Sequence, residues 1–154
     1  MLRNKKGFTL IEMLVVIAII AVLVSIIIPT VTAATTKAQA ATDAANLRSV
    51  MGQLNGVLAS ANEMTAAQAQ NLQTADSKMY PGAKMLIVYQ NPGFIDAFYL
   101  YEGEYYGLNY FSTVAQYGEE AAEGISTAKP EPAAGSGIIY EWYEAGKGAF
   151  NENP

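Results

Sequence analysis

From Phe8 to Ile28 the chain is an apolar run interrupted only by Thr9, Glu12 and Ser25. As a helix rising about 1.5 Å per residue, it covers roughly 30 Å, the hydrocarbon thickness of a bilayer. A basic leader, Met1 to Lys6 (MLRNKK), and then Gly7 precede it, and Pro29 closes it. The flanking positive charges place the N-terminus in the cytoplasm and the rest outside. Glu12 is the anomaly, because an acid inside a span costs about 2.5–3.5 kcal/mol on insertion scales and calls for a partner.

The segments that follow predict one helix and then a sheet. Pro29 lacks an N–H and crowds the carbonyl four residues back, so it kinks or loosens the helix there. Thr30 to Ala45 is rich in Ala and Thr, with Lys37 and Asp43, and reads as helix lightly packed in the monomer. Leu47, Met51, Leu54, Leu58 and Ala61, with Val50 and Val57 beside them, then mark one helical face that ends near Asn62. A continuous helix from Phe8 to Ala61 is about 80 Å long, more than a domain of this size can cover. Its first half needs lipid, and then other copies. Gly52 and Gly56 share one face, where another element can approach closely.

Thr65 to Gln73 reads as a short helix capped by Thr65. All 10 tyrosines lie between Tyr80 and Tyr143, the mark of a β-rich segment whose rings form a sheet core and subunit interface. Candidate strands are Met85–Gln90, Phe94–Tyr101, Tyr105–Phe111 and Gly137–Glu144. The turns Asn91-Pro92-Gly93 and Glu102-Gly103-Glu104 are short enough for antiparallel neighbours. Ser112 to Ser136 reads as an irregular loop with a helical turn near Glu119–Glu123, and the tail after Ala145 has no strong pattern. The fold class is therefore α+β, with a long N-terminal helix, its hydrophobic half exposed as a stalk, packed on a C-terminal antiparallel sheet of about four strands. The expected divisions are a leader at 1–7, an apolar helix at 8–28, the second half of the helix at 29–62 and a globular domain at 63–154.

Composition narrows the chemistry. The net charge is −5, and falls to −8 once Arg3, Lys5 and Lys6 leave with the leader. A body this acidic repels nucleic acid and anionic surfaces, so no direct nucleic-acid binding is expected. The chain has no cysteine and no histidine, which removes disulfides, thiolate metal sites and the usual general base. Ser126-Thr127-Ala128-Lys129 fits S-x-x-K without the motifs that accompany it in enzymes. Glu102 with Glu104, and Glu119 and Glu120 with Glu123, lack calcium-loop spacing and read as solvated acidic turns. Gly135-Ser136-Gly137 is a loop signal. No catalytic residue, metal site or cofactor is expected, and the chain reads as a non-enzyme.

Two general explanations of the N-terminus fall short. Val31-Thr32-Ala33 and Ala38-Gln39-Ala40 suit a secretory signal peptidase, but the apolar run exceeds the usual length of about 7–15 residues and contains an acid. A plain signal anchor explains the length and leaves Glu12 without a reason. The string KKGFTLIEMLVV followed by Pro29 closely resembles the class III signal of type IV pilins and the related pseudopilins. Beyond Pro29 the resemblance is architectural only.

The resemblance implies that a prepilin peptidase cuts between Gly7 and Phe8 on the cytoplasmic face and N-methylates Phe8. It implies that Glu12 pairs with the Phe8 amine of a neighbouring subunit, and that Pro29 sits where pilin helices bend or melt. Cleavage after Gly7 creates a cationic amine one helical turn from Glu12 on the same face. Two desolvated charges are tolerable when paired, and the pairing sets axial register as a buried polar group does in coiled coils.

The implied protein is a structural subunit of a type IV pilus, held in the cytoplasmic membrane as a single-pass prepilin. An assembly platform then polymerises it with other subunits into an extracellular helical fibre serving adhesion, twitching motility or DNA uptake. The alternative is a pseudopilin of a type II secretion or competence system. The missing acidic calcium signature and cysteine pair favour the pilus.

Overall fold

A computed structural model describes residues 7–60, 72, 74–90, 94–130, 138–143 and 150–152. By its internal contacts the chain divides between Thr35 and Thr36.

Helix α1 runs from Leu10 to Ser60, α-helical throughout, with Pro29 inside it. That agrees within two residues with the helix expected from the sequence. Its two parts differ in what surrounds them. Every large apolar side chain from Leu10 to Val31 is exposed. From Ala40 the helix is one-sided instead: Ala40, Asp43, Ala44, Leu47, Val50 and Leu54 are buried. Spacings of three and four keep them on one stripe. The buried face thus begins a full two turns before Leu47. The Ala-rich stretch before Leu47, expected to be lightly packed, in fact contributes its small residues where a neighbour comes close.

The neighbour is a five-stranded antiparallel sheet in the order β3-β2-β1-β4-β5. The strands are β1 (Lys84–Gln90), β2 (Phe94–Tyr101), β3 (Glu104–Gly107), β4 (Ile138–Tyr143) and β5 (Phe150–Glu152). Alternation sorts their side chains to two faces. Met85 and Ile87 of β1, Ala97 and Tyr99 of β2 and Tyr106 of β3 join the α1 stripe in the main core. Leu86, packed against Phe98, Leu100 and Tyr105, forms a smaller cluster. β2 and β3 are joined by a two-residue turn in which Glu102 (φ 51°) and Gly103 (φ 89°) are both left-handed. That is the type I′ geometry whose twist matches flanking strands.

Two expectations need correction. The third strand stops at Gly107, and Leu108–Tyr117 is a helix, α2. Leu108, Phe111, Val114 and Ala115 recur at helical spacing and pack on the core, and the aromatic content of the segment masked that period. Gly107 sits where a Cβ would lie 2.8 and 2.9 Å from the Phe98 ring, so a larger residue there requires the ring to shift. Phe150–Glu152, in the tail without pattern, is the fifth strand and pairs with β4. Three residues are too few for an alternation to register.

The turn expected near Glu119–Glu123 is a 3-10 helix at Glu119–Ala122, with Ala122 buried. Apart from Leu72, which is not helical, the helix expected at Thr65–Gln73 lies outside the described residues, as does the turn Asn91-Pro92-Gly93. At Gly52 an added Cβ would meet nothing within 4 Å among the described residues.

The tyrosines go mainly to the core. Tyr80 stacks on Tyr101 and Tyr106 with ring centroids 5.1 and 4.4 Å apart, and Phe111 meets Tyr99 edge-on at 5.8 Å. Their hydroxyls find partners: Tyr99 donates to the Ala75 carbonyl at 2.6 Å, and the Tyr80 and Tyr110 hydroxyls bond at 2.9 Å.

Asp43 is fully buried among these groups. Its Oδ2 accepts from Ser77 Oγ at 2.6 Å and from the Met79 N–H at 2.9 Å, and its Oδ1 accepts from the Lys78 N–H at 2.7 Å. Ser77 Oγ in turn accepts the Tyr80 N–H at 2.9 Å. A single carboxylate therefore ties the segment entering β1 to α1, with the lone pairs of both oxygens in use.

Candidate functional site

The residues singled out by sequence lie at the start of α1 and along its exposed part. Gly7, Phe8 and Thr9 are not helical, and α1 begins at Leu10. The Gly7–Phe8 bond therefore lies before the first turn of the helix, and Phe8 is 81% exposed.

Glu12 lies in the first turn of α1, where a carboxylate faces the positive end of the helix dipole. Its Oε2 accepts from the Thr9 N–H at 2.7 Å and from Thr9 Oγ1 at 2.9 Å. The Glu12 N–H donates back to Thr9 Oγ1 at 3.3 Å. This is a capping box, in which residues three apart satisfy each other's free backbone donors. Both bonds fall on one oxygen. Among the described residues, nothing donates to Oε1.

Thr9 is the residue that sequence reasoning passed over. Glu12 was given a partner in another subunit, whereas a first partner is already present three residues away. The spacing Thr-x-x-Glu at the head of an apolar run carried that signal.

Pro29 is set in uninterrupted helix and brings Glu12 no neighbour. Having no N–H, it leaves the Ser25 carbonyl without its helical donor. Around it, hydroxyls bond back to the helix: Ser25 Oγ to the Val22 carbonyl at 2.7 Å, Thr30 Oγ1 to Ile27 at 2.8 Å and Thr32 Oγ1 to Ile28 at 3.0 Å. Such back-bonding satisfies hydroxyls in an apolar setting while weakening the helix slightly. Gly7 and Phe8 lie just before the helix and Glu12 lies in its first turn; Pro29 stands apart.

This arrangement is a long apolar surface with one acid at its head. It has no nucleophile–base pair, and no metal-binding cluster of three or more acidic residues is found among the described residues. Residues 2–28 match the family described as the prokaryotic N-terminal methylation motif. The leader and the apolar helix are thus a class III signal peptide of the type IV pilin kind. That motif, with the α+β fold above, supports a precursor of pilin or pseudopilin type. Neither the curated proteins nor the solved structures give a match.

Proposed function

We propose that the chain is a structural subunit of a type IV pilus. In this reading it waits in the cytoplasmic membrane, is cut between Gly7 and Phe8, is N-methylated on Phe8, and is then polymerised through α1 by an assembly platform. The observation that carries the proposal is the exposed apolar helix headed by Glu12, one of whose carboxylate oxygens has no donor among the described residues. An apolar surface of this extent is covered by lipid first and by neighbouring subunits afterwards.

Thr9 gives the waiting subunit a way to hold its acid. The capping box keeps Oε2 on the subunit's own helix, while Oε1 is available to the methylated amine of a neighbour. Pairing the two charges lowers the cost of burying either one, so an incoming helix is favoured at the register that joins them. Pro29, with its lost hydrogen bond and flanking hydroxyls, is the weak point at which the helix adjusts to the fibre.

Glu12→Gln separates the two roles. Glutamine still fits a capping box but carries no charge. The expected result is normal membrane insertion and folding with filament yield as low as for Glu12→Ala, measured by electron microscopy of sheared surface material. Normal filaments from Glu12→Gln would sink the charge-pairing role, and normal filaments from both variants would sink the site. A pseudopilin is favoured instead if the processed subunit never leaves the envelope.

A further inference from the structure

Helix α2 carries a different surface at each end. At its start lies an open cleft of about 720 Å³ in which Arg48 and Asp96 share the walls with Met51, Phe98, Leu108 and Tyr110. Arg48 Nη2 donates to Ser112 Oγ at 3.0 Å, and Asp96 Oδ1 accepts the Ala97 N–H at 2.8 Å. Among the described residues, neither charge pairs with the other or with any third ionised group. Burial pushes the Asp96 carboxyl above the usual carboxylate range, as expected of an acid without a cation beside it. The cleft thus holds one cation and one acid, each bonded to a neutral group, beside an apolar wall.

The second surface is at the end of α2. Tyr117, the last residue of the helix, is 65% exposed, the one large apolar side chain among the described residues beyond Val31 left so open. Lys37 of α1 lies next to it. Its Nζ donates to the Gln116 carbonyl at 3.5 Å, and a Cβ added at Gly118 would meet its Cε at 3.6 Å. Glu119 and Glu120 follow at once in the 3-10 helix, both exposed. Among the described residues, no acid pairs with Lys37 and no cation pairs with either glutamate.

The two surfaces match in kind: a ring, two acids and a cation at one end, an apolar wall, a cation and an acid at the other. The 10 residues of α2 hold them about 15 Å apart, so no chain can seat its own Tyr117 in its own cleft.

We propose that Tyr117 of one copy of this chain seats in the Arg48 cleft of a second copy, with the Glu119–Glu120 pair against Arg48 and Lys37 against Asp96. This contact rests on the assembly reading above, in which copies polymerise through α1, and is where successive globular parts meet. A buried aromatic anchor supplies the apolar centre, and two opposite charge pairs fix the orientation. Because the inserted and receiving surfaces differ, each copy seats one neighbour and is seated in another, so the contact is heterologous and propagates along a fibre.

The test is cross-linking in the native host, since the chain has no cysteine of its own. Asn109→Cys marks the cleft and Ala121→Cys marks the acidic end, both at exposed positions. Whole cells are treated with a bismaleimide shorter than α2, and products are read by immunoblotting. A ladder of dimers, trimers and longer species is expected when both cysteines share a chain, and nothing beyond dimers from either alone. In the double-cysteine chain, Arg48→Glu lowers the multimers about tenfold, and adding Glu119→Lys with Glu120→Lys restores them. Tyr117→Ala lowers them similarly and, being exposed, keeps the test valid if Arg48→Glu disturbs folding. No ladder, dimers alone, or a ladder unchanged by Tyr117→Ala overturns the proposal, and cross-links to a different protein in place of a ladder give the cleft to that partner and overturn it too. Shearing separates this contact from the proposed pilus: a ladder that stays in the envelope supports the contact and contradicts the pilus, whereas sheared filaments without a ladder contradict the contact alone.

Discussion

Leu10–Val31 and Ala40–Leu54 belong to one α-helix and solve opposite problems. The first part is apolar on every side and exposed; the second is apolar on one stripe, and that stripe is buried. The same contrast appears in their acids. Glu12 is exposed and shares a single oxygen with Thr9, whereas Asp43 is buried and both its oxygens are bonded within its own domain. An acid that the fold itself satisfies is structural. An acid left partly open at the head of an uncovered apolar surface is the one that the proposed function assigns to another molecule.

The sharpest way to break this contrast is to exchange the acids for alanine. Asp43→Ala leaves the Ser77 hydroxyl and the Lys78 and Met79 N–H groups buried without an acceptor, and is expected to cost about 3 kcal/mol or more in urea unfolding of the full chain in detergent. Glu12→Ala leaves that unfolding midpoint where it was. A large shift from Glu12→Ala, or none from Asp43→Ala, reverses the assignment.

Apolar truncation comes next. Phe111→Ala, in the core between Tyr99 and Tyr110, is expected to cost about 3–5 kcal/mol. Ile19→Ala removes a comparable side chain from the exposed part and leaves the midpoint unchanged, while reducing filament yield. Gly107→Ala is smaller still, about 1–3 kcal/mol, because the Phe98 ring has to move away from the new Cβ.

The last effect is pH dependence. Burial, with the nearby Asp43 charge, holds the Tyr99 hydroxyl above the ordinary tyrosine range, and burial raises Tyr80 in the same direction. Burial and the bond to Glu104 push Tyr106 up to about 12. The neutral hydroxyl is thus favoured in the folded state, so these groups contribute their full stability below the unfolded value of about 10. That contribution is lost as pH rises from there through the folded values. Thermal unfolding followed by circular dichroism is expected to be flat across neutral pH and to fall above pH about 10, in step with tyrosinate absorbance. Tyr99→Phe removes part of that slope.

What the sequence made legible follows from how strongly each feature repeats. The apolar run, its acid and its proline occupy consecutive positions, and the helix was therefore clear to within two residues. β1 and β2 are runs of seven and eight residues rich in β-branched and aromatic side chains and were equally plain. The β3–α2 junction was not, because aromatic residues sit on both sides of it and the change of period at Gly107 depends on a contact with Phe98, its partner on the adjacent strand β2. Asp43 stands in the stretch read as lightly packed, and its partners at Ser77 to Met79 come from a distant segment that carries no local pattern. The Thr9–Glu12 pair was local and readable; attention to a partner outside the chain obscured the one inside it.

The account turns on whether Gly7–Phe8 is a processing site and Phe8 the head of an assembling helix. Intact-mass and N-terminal analysis of the protein recovered from its native host tests this directly. The account predicts a mature chain that begins at Phe8 and carries one methyl group on its amine. An N-terminus at Met1, Ala34 or Ala41 would contradict it.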